Sequence, residues 1–227
     1  MKLLHIAIDG PAGAGKSTIA QILANELHID YLDTGAMYRG LTYHILKNNI
    51  STDNNEAIIE EAKKINIDFY NKSIYLNNEN IDVQIRSTIV SNSVSIISKI
   101  PEVRIIMVKK QQEIACNKSV IMDGRDIGTV VLPKASFKFY LDASIEIRAK
   151  RRFKQLQNKG VNGDIEKIKE DIAKRDHMDF NRTVSPLKKA VDAINIDTSK
   201  KTLREVVDMI ANIINKNTEN NGGEDVL

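Results

Sequence analysis

A glycine-rich segment near the amino terminus constrains the fold more than any other part of this chain. Residues 10–17 read Gly-Pro-Ala-Gly-Ala-Gly-Lys-Ser, after the short apolar run Leu4–Ile8 and before a helical pattern over Ser17–Leu27. The spacing G-x-x-x-x-G-K-[ST] between a strand and a helix is typical of a phosphate-binding loop. Its glycines let backbone N–H groups approach phosphate oxygens, and the following helix directs its positive end to the same place. A fold built on a parallel sheet is therefore favoured.

Short apolar runs recur between longer helical patterns along the rest of the chain. We predict further buried strands at Tyr31–Leu32, Ser119–Met122, Phe137–Leu141 and Ala193–Ile196, each followed by an aspartate. Helices are predicted over Ala36–Lys47, Asn55–Ile65, Val103–Cys116, Ile145–Asn158, Ile165–Phe180 and Leu203–Ile214. This alternation predicts an α/β fold with a parallel five-stranded sheet flanked by helices.

Two segments interrupt that alternation. Between Ile65 and Arg86, apolar residues are interspersed with polar ones around asparagine-rich turns, which predicts a small antiparallel insertion. Residues 215–227 include Gly222 and Gly223 among asparagines, the composition of a disordered tail.

Composition excludes several classes of protein. The 227 residues are 42% hydrophobic and 28% charged, which excludes collagen-like, coiled-coil and wholly disordered chains. A formal net charge of +3 is too small to favour a nucleic-acid partner, and no apolar run approaches the 18 residues that a membrane span needs. The single cysteine, Cys116, cannot form an internal disulfide, so we expect a reducing cytoplasm. Its helical position predicts a small buried side chain.

A phosphate loop predicts a nucleoside triphosphate but not its use. A switch GTPase would carry an Asn-Lys-x-Asp segment after a later strand, and this sequence has none in that position. A small-molecule kinase needs an acceptor pocket and a basic lid instead. Arg39 follows a predicted strand, and Arg125 and Asp126 follow another, at the sheet edge where open α/β folds bind ligands.

The carboxyl-terminal half supplies candidates for a lid. Arg175, Asp179 and Arg182 follow i, i+4, i+7 spacing, which puts them on one helix face if the helix persists. A basic cluster leads towards the Gly160–Gly163 loop and comprises Arg148, Lys150, Arg151 and Arg152. Without further context, a solvated, salt-bridged surface is the more ordinary interpretation of the basic cluster, and it also fits the Arg175–Arg182 stripe.

Four segments together resemble the bacterial cytidylate kinases. They are I-D-G-P-A-G-A-G-K-S-T (8–18), L-D-T-G-A-M-Y-R (32–39), D-G-R-D-I-G-T-V-V (123–131) and N-R-T-V-S-P-L (181–187). The resemblance covers about residues 4 to 214, and the third segment is the most specific. It implies ATP-dependent phosphorylation of CMP and dCMP by a monomeric nucleoside monophosphate kinase. The expected divisions are a core over about 1–34, 101–150 and 185–214, a monophosphate-binding lobe over about 35–100, and a short helical lid over about 151–184.

The same resemblance implies the roles of individual residues. The ATP-binding set is Gly10, Pro11, Ala12, Gly13, Ala14, Gly15, Lys16, Ser17, Thr18 and Arg151. Ser17 is also the Mg²⁺ ligand that the motif predicts, with Asp33 as a candidate carboxylate. The substrate-binding set is Arg39, Arg125 and Arg182 for the CMP phosphate, Arg175 and Asp179 for the ribose, Ser95, Arg104 and Asp126 for cytosine, and Thr34. Lys16, Arg125 and Arg151 form the expected catalytic set.

Two alternatives stay open from the sequence. One is a kinase for another small acceptor, such as a different nucleoside monophosphate or shikimate. The other is a nucleotide-dependent switch or binding module, which would hydrolyse its nucleotide slowly without an acceptor.

Overall fold

Five parallel strands form the main sheet of the protein. The computed structural model describes residues 3–70, 73–158, 160, 161 and 163–220. The strands are β1 (His5–Asp9), β2 (Asp30–Asp33), β6 (Val120–Gly124), β7 (Phe137–Asp142) and β8 (Ile194–Asp197), in the spatial order β2-β6-β1-β7-β8. The expected parallel five-stranded sheet is confirmed. Every residue of β6 is buried, as a central strand covered on both faces requires.

Helices cover both faces of this sheet. They are α1 (Lys16–Glu26), α2 (Thr34–Lys47), α3 (Asn55–Lys64), α4 (Thr88–Ser98), α5 (Pro101–Ala115), α6 (Ile145–Gln157), α7 (Ile165–Asn181) and α8 (Leu203–Asn220). Successive side chains of a strand point to opposite faces, so β1 contributes to two cores. Ile6 and Ile8 pack with apolar side chains of α1 and α8, whereas Ala7 packs with those of α2 and α5.

A separate three-stranded antiparallel sheet lies between α3 and α4 in sequence. Its strands are β3 (Ile67–Tyr70), β4 (Ser73–Leu76) and β5 (Glu79–Asn80). Ile67, Ile74 and Leu76 bury their side chains in the core that also contains α2. The expected antiparallel insertion is therefore confirmed.

Helix α4 is the element that the sequence patterns did not predict. Between Thr88 and Ser98 it contains serines and β-branched residues, which are weak helix formers. Val90, Val94 and Ile97 are buried, so tertiary packing of one face stabilises this helix rather than intrinsic propensity.

Helices α6 and α7 pack on each other through a small core of their own. Ala149 of α6 is buried with Ile168 and Ile172 of α7. This pair corresponds to the expected helical lid, although the division into core, lobe and lid stays a prediction.

Two expectations need correction. Helix α8 continues to Asn220, so residues 215–220 are helical rather than part of a tail, and residues 221–227 lie outside the described part of the chain. Cys116 is exposed, because it follows α5 as the C-cap residue instead of facing the sheet. Within the described residues, no helix combines the length and apolar character that crossing a membrane requires.

Candidate active site

The phosphate loop joins the end of β1 to the start of α1. Gly10, Gly13 and Gly15 all have positive φ angles, which glycine adopts without the steric cost that other residues meet. A side chain at Gly10 would also overlap the backbone carbonyl of Leu141 on the neighbouring strand. The sequence Gly-x-x-Gly-x-Gly is therefore what allows the chain to turn sharply at this edge of the sheet.

Lys16 is the first residue of α1, and its buried ammonium group turns back into the phosphate loop. Its Nζ donates a 2.9 Å hydrogen bond to the Pro11 carbonyl oxygen. Burial, and next the nearby positive charge of Arg125, lowers the pKa of Lys16 to about 7. A bound phosphate would favour the charged ammonium, since an adjacent opposite charge stabilises it.

A carboxylate from the next strand lies directly beside Ser17. The Ser17 hydroxyl donates to Asp123 Oδ2 at 2.9 Å, and the Tyr31 hydroxyl donates to Asp123 Oδ1 at 2.7 Å. Burial raises the pKa of Asp123 to about 6, and the charge of Asp33 adds to that effect. Asp33 lies close to Asp123 because the two residues are register partners near the carboxyl ends of β2 and β6.

Asp33, the candidate carboxylate for Mg²⁺, makes its hydrogen bonds with α2 and not with Ser17. It caps α2 by accepting from the Ala36 N–H at 2.9 Å, and it accepts from Arg39 Nη2 at 3.0 Å. The structure therefore places Asp123 beside Ser17, and the role of Asp33 as a carboxylate for Mg²⁺ stays a prediction. Asp123 had a sequence signal, since it directly follows a buried strand.

Oxygen atoms of Ser17 and Asp123 are suitable ligands for Mg²⁺, a hard cation that binds few protein groups and keeps phosphate and water ligands. No group of three or more histidine, cysteine or acidic side chains in the described residues could hold a metal ion alone.

A second group of charged side chains surrounds Asp126, beyond the end of β6. Arg104 Nη2 donates to Asp126 Oδ2 at 2.6 Å, and Arg182 Nη2 lies 3.8 Å from Asp126 Oδ1. The Arg104 guanidinium also stacks over the ring of Tyr38, at 5.1 Å from its centroid. Arg104 and Asp126 are both buried. Ser95, predicted to lie with them, is half-buried on α4.

A cluster of guanidinium groups lies next to this pair. Arg125 Nε donates to Asp179 Oδ2 at 2.7 Å, and Arg182 Nη1 lies 3.2 Å from Asp179 Oδ1. Burial, and next the positive charge of Arg125, lowers the pKa of Arg175 to about 10, and Arg39 adds to the effect. These arginines repel one another in the free protein, so their cluster favours a bound anion.

Helix α6 contacts the phosphate loop, and α7 contacts α6. Arg148 of α6 donates to the Ala12 carbonyl oxygen at 3.1 Å and to Asp176 of α7 at 2.6 Å. Arg151 donates to the Thr198 hydroxyl and carbonyl oxygens at 3.0 and 2.7 Å. The Thr198 hydroxyl in turn donates to the Ala14 carbonyl oxygen at 3.1 Å. Arg148 thus holds the loop, whereas Arg151 lies beside it.

Most of the predicted residues therefore meet at one edge of the main sheet. Thr34 also lies there, since its hydroxyl donates to the Asp123 carbonyl oxygen at 2.7 Å. Sequence reasoning gave no role to several side chains that the structure places among them: Asp9, Tyr31, Tyr38, Asp123, Asp176 and Thr198.

Comparison with known proteins identifies a family over nearly the whole chain. Residues 6–216 match the family model for cytidylate kinase. A cytidylate kinase from Caldanaerobacter subterraneus subsp. tengcongensis is 52% identical over 95% of this chain and 96% of that protein. One from Clostridioides difficile is 52% identical over 93% of this chain and 98% of that protein.

Solved structures show the same fold at much lower identity. An uncharacterized protein from Eubacterium ventriosum has a TM-score of 0.52 and 15% identity, over 93% of this chain and 98% of that chain. A gluconokinase from Sinorhizobium meliloti has a TM-score of 0.52 and 11% identity, over 96% of this chain and 94% of that chain. These similarities concern the fold alone.

Proposed function

This chain belongs to the cytidylate kinase family, and on that premise we propose that it transfers the γ-phosphoryl group of ATP to CMP and dCMP. An oxygen of the CMP phosphate forms the new P–O bond while the bond to the β-phosphate oxygen breaks, which yields CDP or dCDP and ADP. The observation that carries this choice of acceptor is the buried Arg104–Asp126 pair, 2.6 Å apart, beside the arginine cluster.

The phosphate loop and α1 would bind the triphosphate of ATP. Backbone N–H groups of the loop and the helix amino terminus favour anionic oxygens, and Lys16 would stabilise charge on the terminal phosphates. Ser17 and Asp123 would hold Mg²⁺, which when bound neutralises phosphate charge and orients the transferring group. Arg151, tied to Thr198 beside the loop, would lie against the ATP base.

The arginine cluster would bind the phosphate of CMP. Arg39, Arg125 and Arg182 each pair with a carboxylate, which fixes their planar guanidinium groups for contact with phosphate oxygens. Arg175 and Asp179 would contact the ribose. Phosphoryl transfer depends on positioning and charge stabilisation more than on a strong base, and this arrangement provides both.

The Arg104–Asp126 pair would recognise the base together with Ser95. Cytosine presents an exocyclic amino donor where uracil presents an oxygen acceptor. Asp126 accepts hydrogen bonds in its ionised form, so it suits cytosine and repels uracil. A site that leaves buried polar groups unpaired with the wrong substrate discriminates strongly.

Small molecules are the expected partners, and the monomeric state stays a prediction. The cytoplasmic location stays a prediction.

A coupled assay of ADP formation with CMP, dCMP, UMP, AMP and shikimate as acceptors tests the proposal. We expect saturable turnover with CMP and dCMP and much lower kcat/KM with the other three. The Lys16→Ala variant, purified in parallel, reports any contaminating kinase because it should lose nearly all turnover. Turnover of AMP or shikimate but not CMP would indicate another acceptor. ATP hydrolysis that no acceptor accelerates would indicate a switch or binding module.

A further inference from the structure

Asp9, the last residue of β1, contacts the segment that follows Asp126. Its carboxylate is buried, and each of its oxygens accepts one backbone hydrogen bond: Oδ1 from the Ile127 N–H at 2.8 Å and Oδ2 from the Gly128 N–H at 2.7 Å. The register of the sheet explains the contact, since Asp9 pairs with Gly124 at the end of β6.

The two N–H groups belong to the start of a short π-helical turn, Ile127–Val131. Asp126 occupies the N-cap position of that turn, with φ −141° and ψ 20°. An aspartate at an N-cap commonly accepts hydrogen bonds from the first N–H groups with its own side chain. Asp126 makes no such bond, because Asp9 of the neighbouring strand already accepts from those groups.

The consequence is that the Asp126 carboxylate points away from its own turn. It faces Arg104 at 2.6 Å and Arg182 at 3.8 Å, in the pocket assigned to cytosine. The capping role and the base-facing role are thus divided between two aspartates.

We propose that Asp9 is a positioning residue for base selectivity: by capping the Ile127–Val131 turn from β1, it keeps the Asp126 carboxylate directed at the acceptor base. The inference rests on the proposed function, since it concerns the same acceptor pocket. Asp9 immediately precedes Gly10, so the residue also joins the first glycine of the phosphate loop to the acceptor site. Without it, the Asp126 side chain is free to turn back and cap its own N–H groups.

Asp9→Asn tests the role with little change in size. The amide retains one acceptor oxygen but directs an NH₂ donor at the second N–H group, so one of the two bonds is lost. We expect the ratio of kcat/KM for CMP to that for UMP to fall about tenfold, the effect of roughly one charge-assisted hydrogen bond, with a much smaller change in the KM for ATP. Assays at pH 8 keep the carboxyl ionised, above the pKa of about 7 that burial gives it.

Asp192→Asn is the matched control. Asp192 binds Lys138 at 2.7 Å, and the Lys138 stem packs against the same turn at Gly128, yet Asp192 caps no N–H group of the turn. We expect this variant to keep the wild-type ratio of CMP to UMP.

Gly128→Ala changes the other partner in the contact between Asp9 and the turn, and it removes no charge. A Cβ at Gly128 would lie 3.3 Å from Asp9 Oδ2 and 3.2 Å from Lys138 Cδ, so it would displace the carboxylate by a few tenths of an ångström. Gly128→Ala should also lower the CMP-to-UMP ratio of kcat/KM. If Asp9→Asn does not fold, this variant tests the positioning role of Asp9 in its place.

A double-mutant cycle separates positioning from a general structural effect. If Asp9 acts through Asp126, adding Asp9→Asn to Asp126→Asn should cause no further loss of selectivity. The inference is overturned if folded Asp9→Asn and Gly128→Ala variants keep the wild-type ratio, or if the two losses add in full. A wild-type enzyme with no preference for CMP would instead overturn the proposed function itself.

Discussion

Arg104 and Asp126 form a 2.6 Å ion pair in which their side chains are only 2% and 6% exposed. Two buried guanidinium nitrogens of this group, Arg104 Nε and Arg182 Nη2, make no hydrogen bond in the described structure, although Arg182 Nη2 lies 3.8 Å from Asp126 Oδ1. Buried polar atoms are nearly always paired, so those that line a binding pocket are available to a ligand or to ordered water. The pair is thus preorganised, while atoms around it remain available to substrate.

Replacing Asp126 tests the role of this pair in recognition. Asp126→Asn should lower the CMP-to-UMP ratio of kcat/KM by at least about tenfold, because a hydrogen bond to a charged group contributes roughly 1.5–3 kcal/mol. It should also lower the free energy of unfolding by about 3 kcal/mol, since Arg104 would stay buried without its counterion. Acceptor kinetics and urea unfolding measure the two effects. Asp171→Asn, at an exposed position of α7, is the control, and an unchanged ratio in Asp126→Asn would contradict the assignment.

Asp123 gives a prediction about metal dependence. Its oxygens accept from Ser17 at 2.9 Å and from Tyr31 at 2.7 Å. Asp123→Asn should raise the Mg²⁺ concentration for half-maximal rate by about 10- to 100-fold or more, the range seen when groups that orient or bind a metal are replaced. Tyr31→Phe removes only the hydrogen bond from Tyr31 to Asp123 and should raise the required Mg²⁺ concentration less. Titration of Mg²⁺ at saturating ATP and CMP provides the measurement, and identical titration curves for Asp123→Asn and wild type would refute the role.

Two glycines with positive φ should respond differently to alanine. Gly10 (φ 145°) lies against the Leu141 carbonyl, whereas a methyl group added at Gly160 (φ 70°) would meet no atom of the described residues within 4 Å apart from its chain neighbours. Gly160→Ala should lose about 1 kcal/mol of unfolding free energy from backbone strain alone. Gly10→Ala adds a backbone overlap and should lose more than about 3 kcal/mol or fail to fold. Similar losses for both variants, measured by urea unfolding, would show that the contact with Leu141 is readily relieved.

The sequence predicted the sheet well because its signals are local. Each predicted strand is a short apolar run ending at an aspartate, and each appears in the structure within a few residues of its predicted limits. Helix α4 was missed for the opposite reason, since its helical state depends on burying Val90 and Val94 against distant elements.

The site could be predicted only in part for the same physical reason. Motifs identified Lys16, Arg125 and Asp126, but the partners of these residues depend on the register between strands far apart in sequence. Asp123 reaches Ser17 across 106 positions, and Asp9 reaches the Ile127 N–H across 118. Several aspartates stand at strand ends, and strand order decides which side chain each of them contacts. Composition and spacing do not determine those contacts.

Asp9 should also make stability depend on pH. Burial raises the pKa of its carboxyl from 3.8 to about 7, with the charge of Asp126 adding to the effect and that of Lys16 and the two N–H donors opposing it. The folded state therefore binds this proton more tightly than the unfolded state, and the stabilisation present at low pH is lost as pH rises towards 7.

Comparison with Asp9→Asn isolates this group from the others that titrate in the same range. Between pH 5 and pH 8, the free energy of unfolding of the wild type should fall relative to that of the variant by roughly 3 kcal/mol, at about 1.4 kcal/mol per pKa unit. Urea unfolding at intervals of half a pH unit measures the difference. Asp192→Asn should follow the wild-type curve, because Lys138 holds the pKa of Asp192 below its ordinary value and outside this range. Parallel curves for wild type and Asp9→Asn would mean that the two N–H donors keep the carboxyl ionised throughout, and that burial does not control its charge.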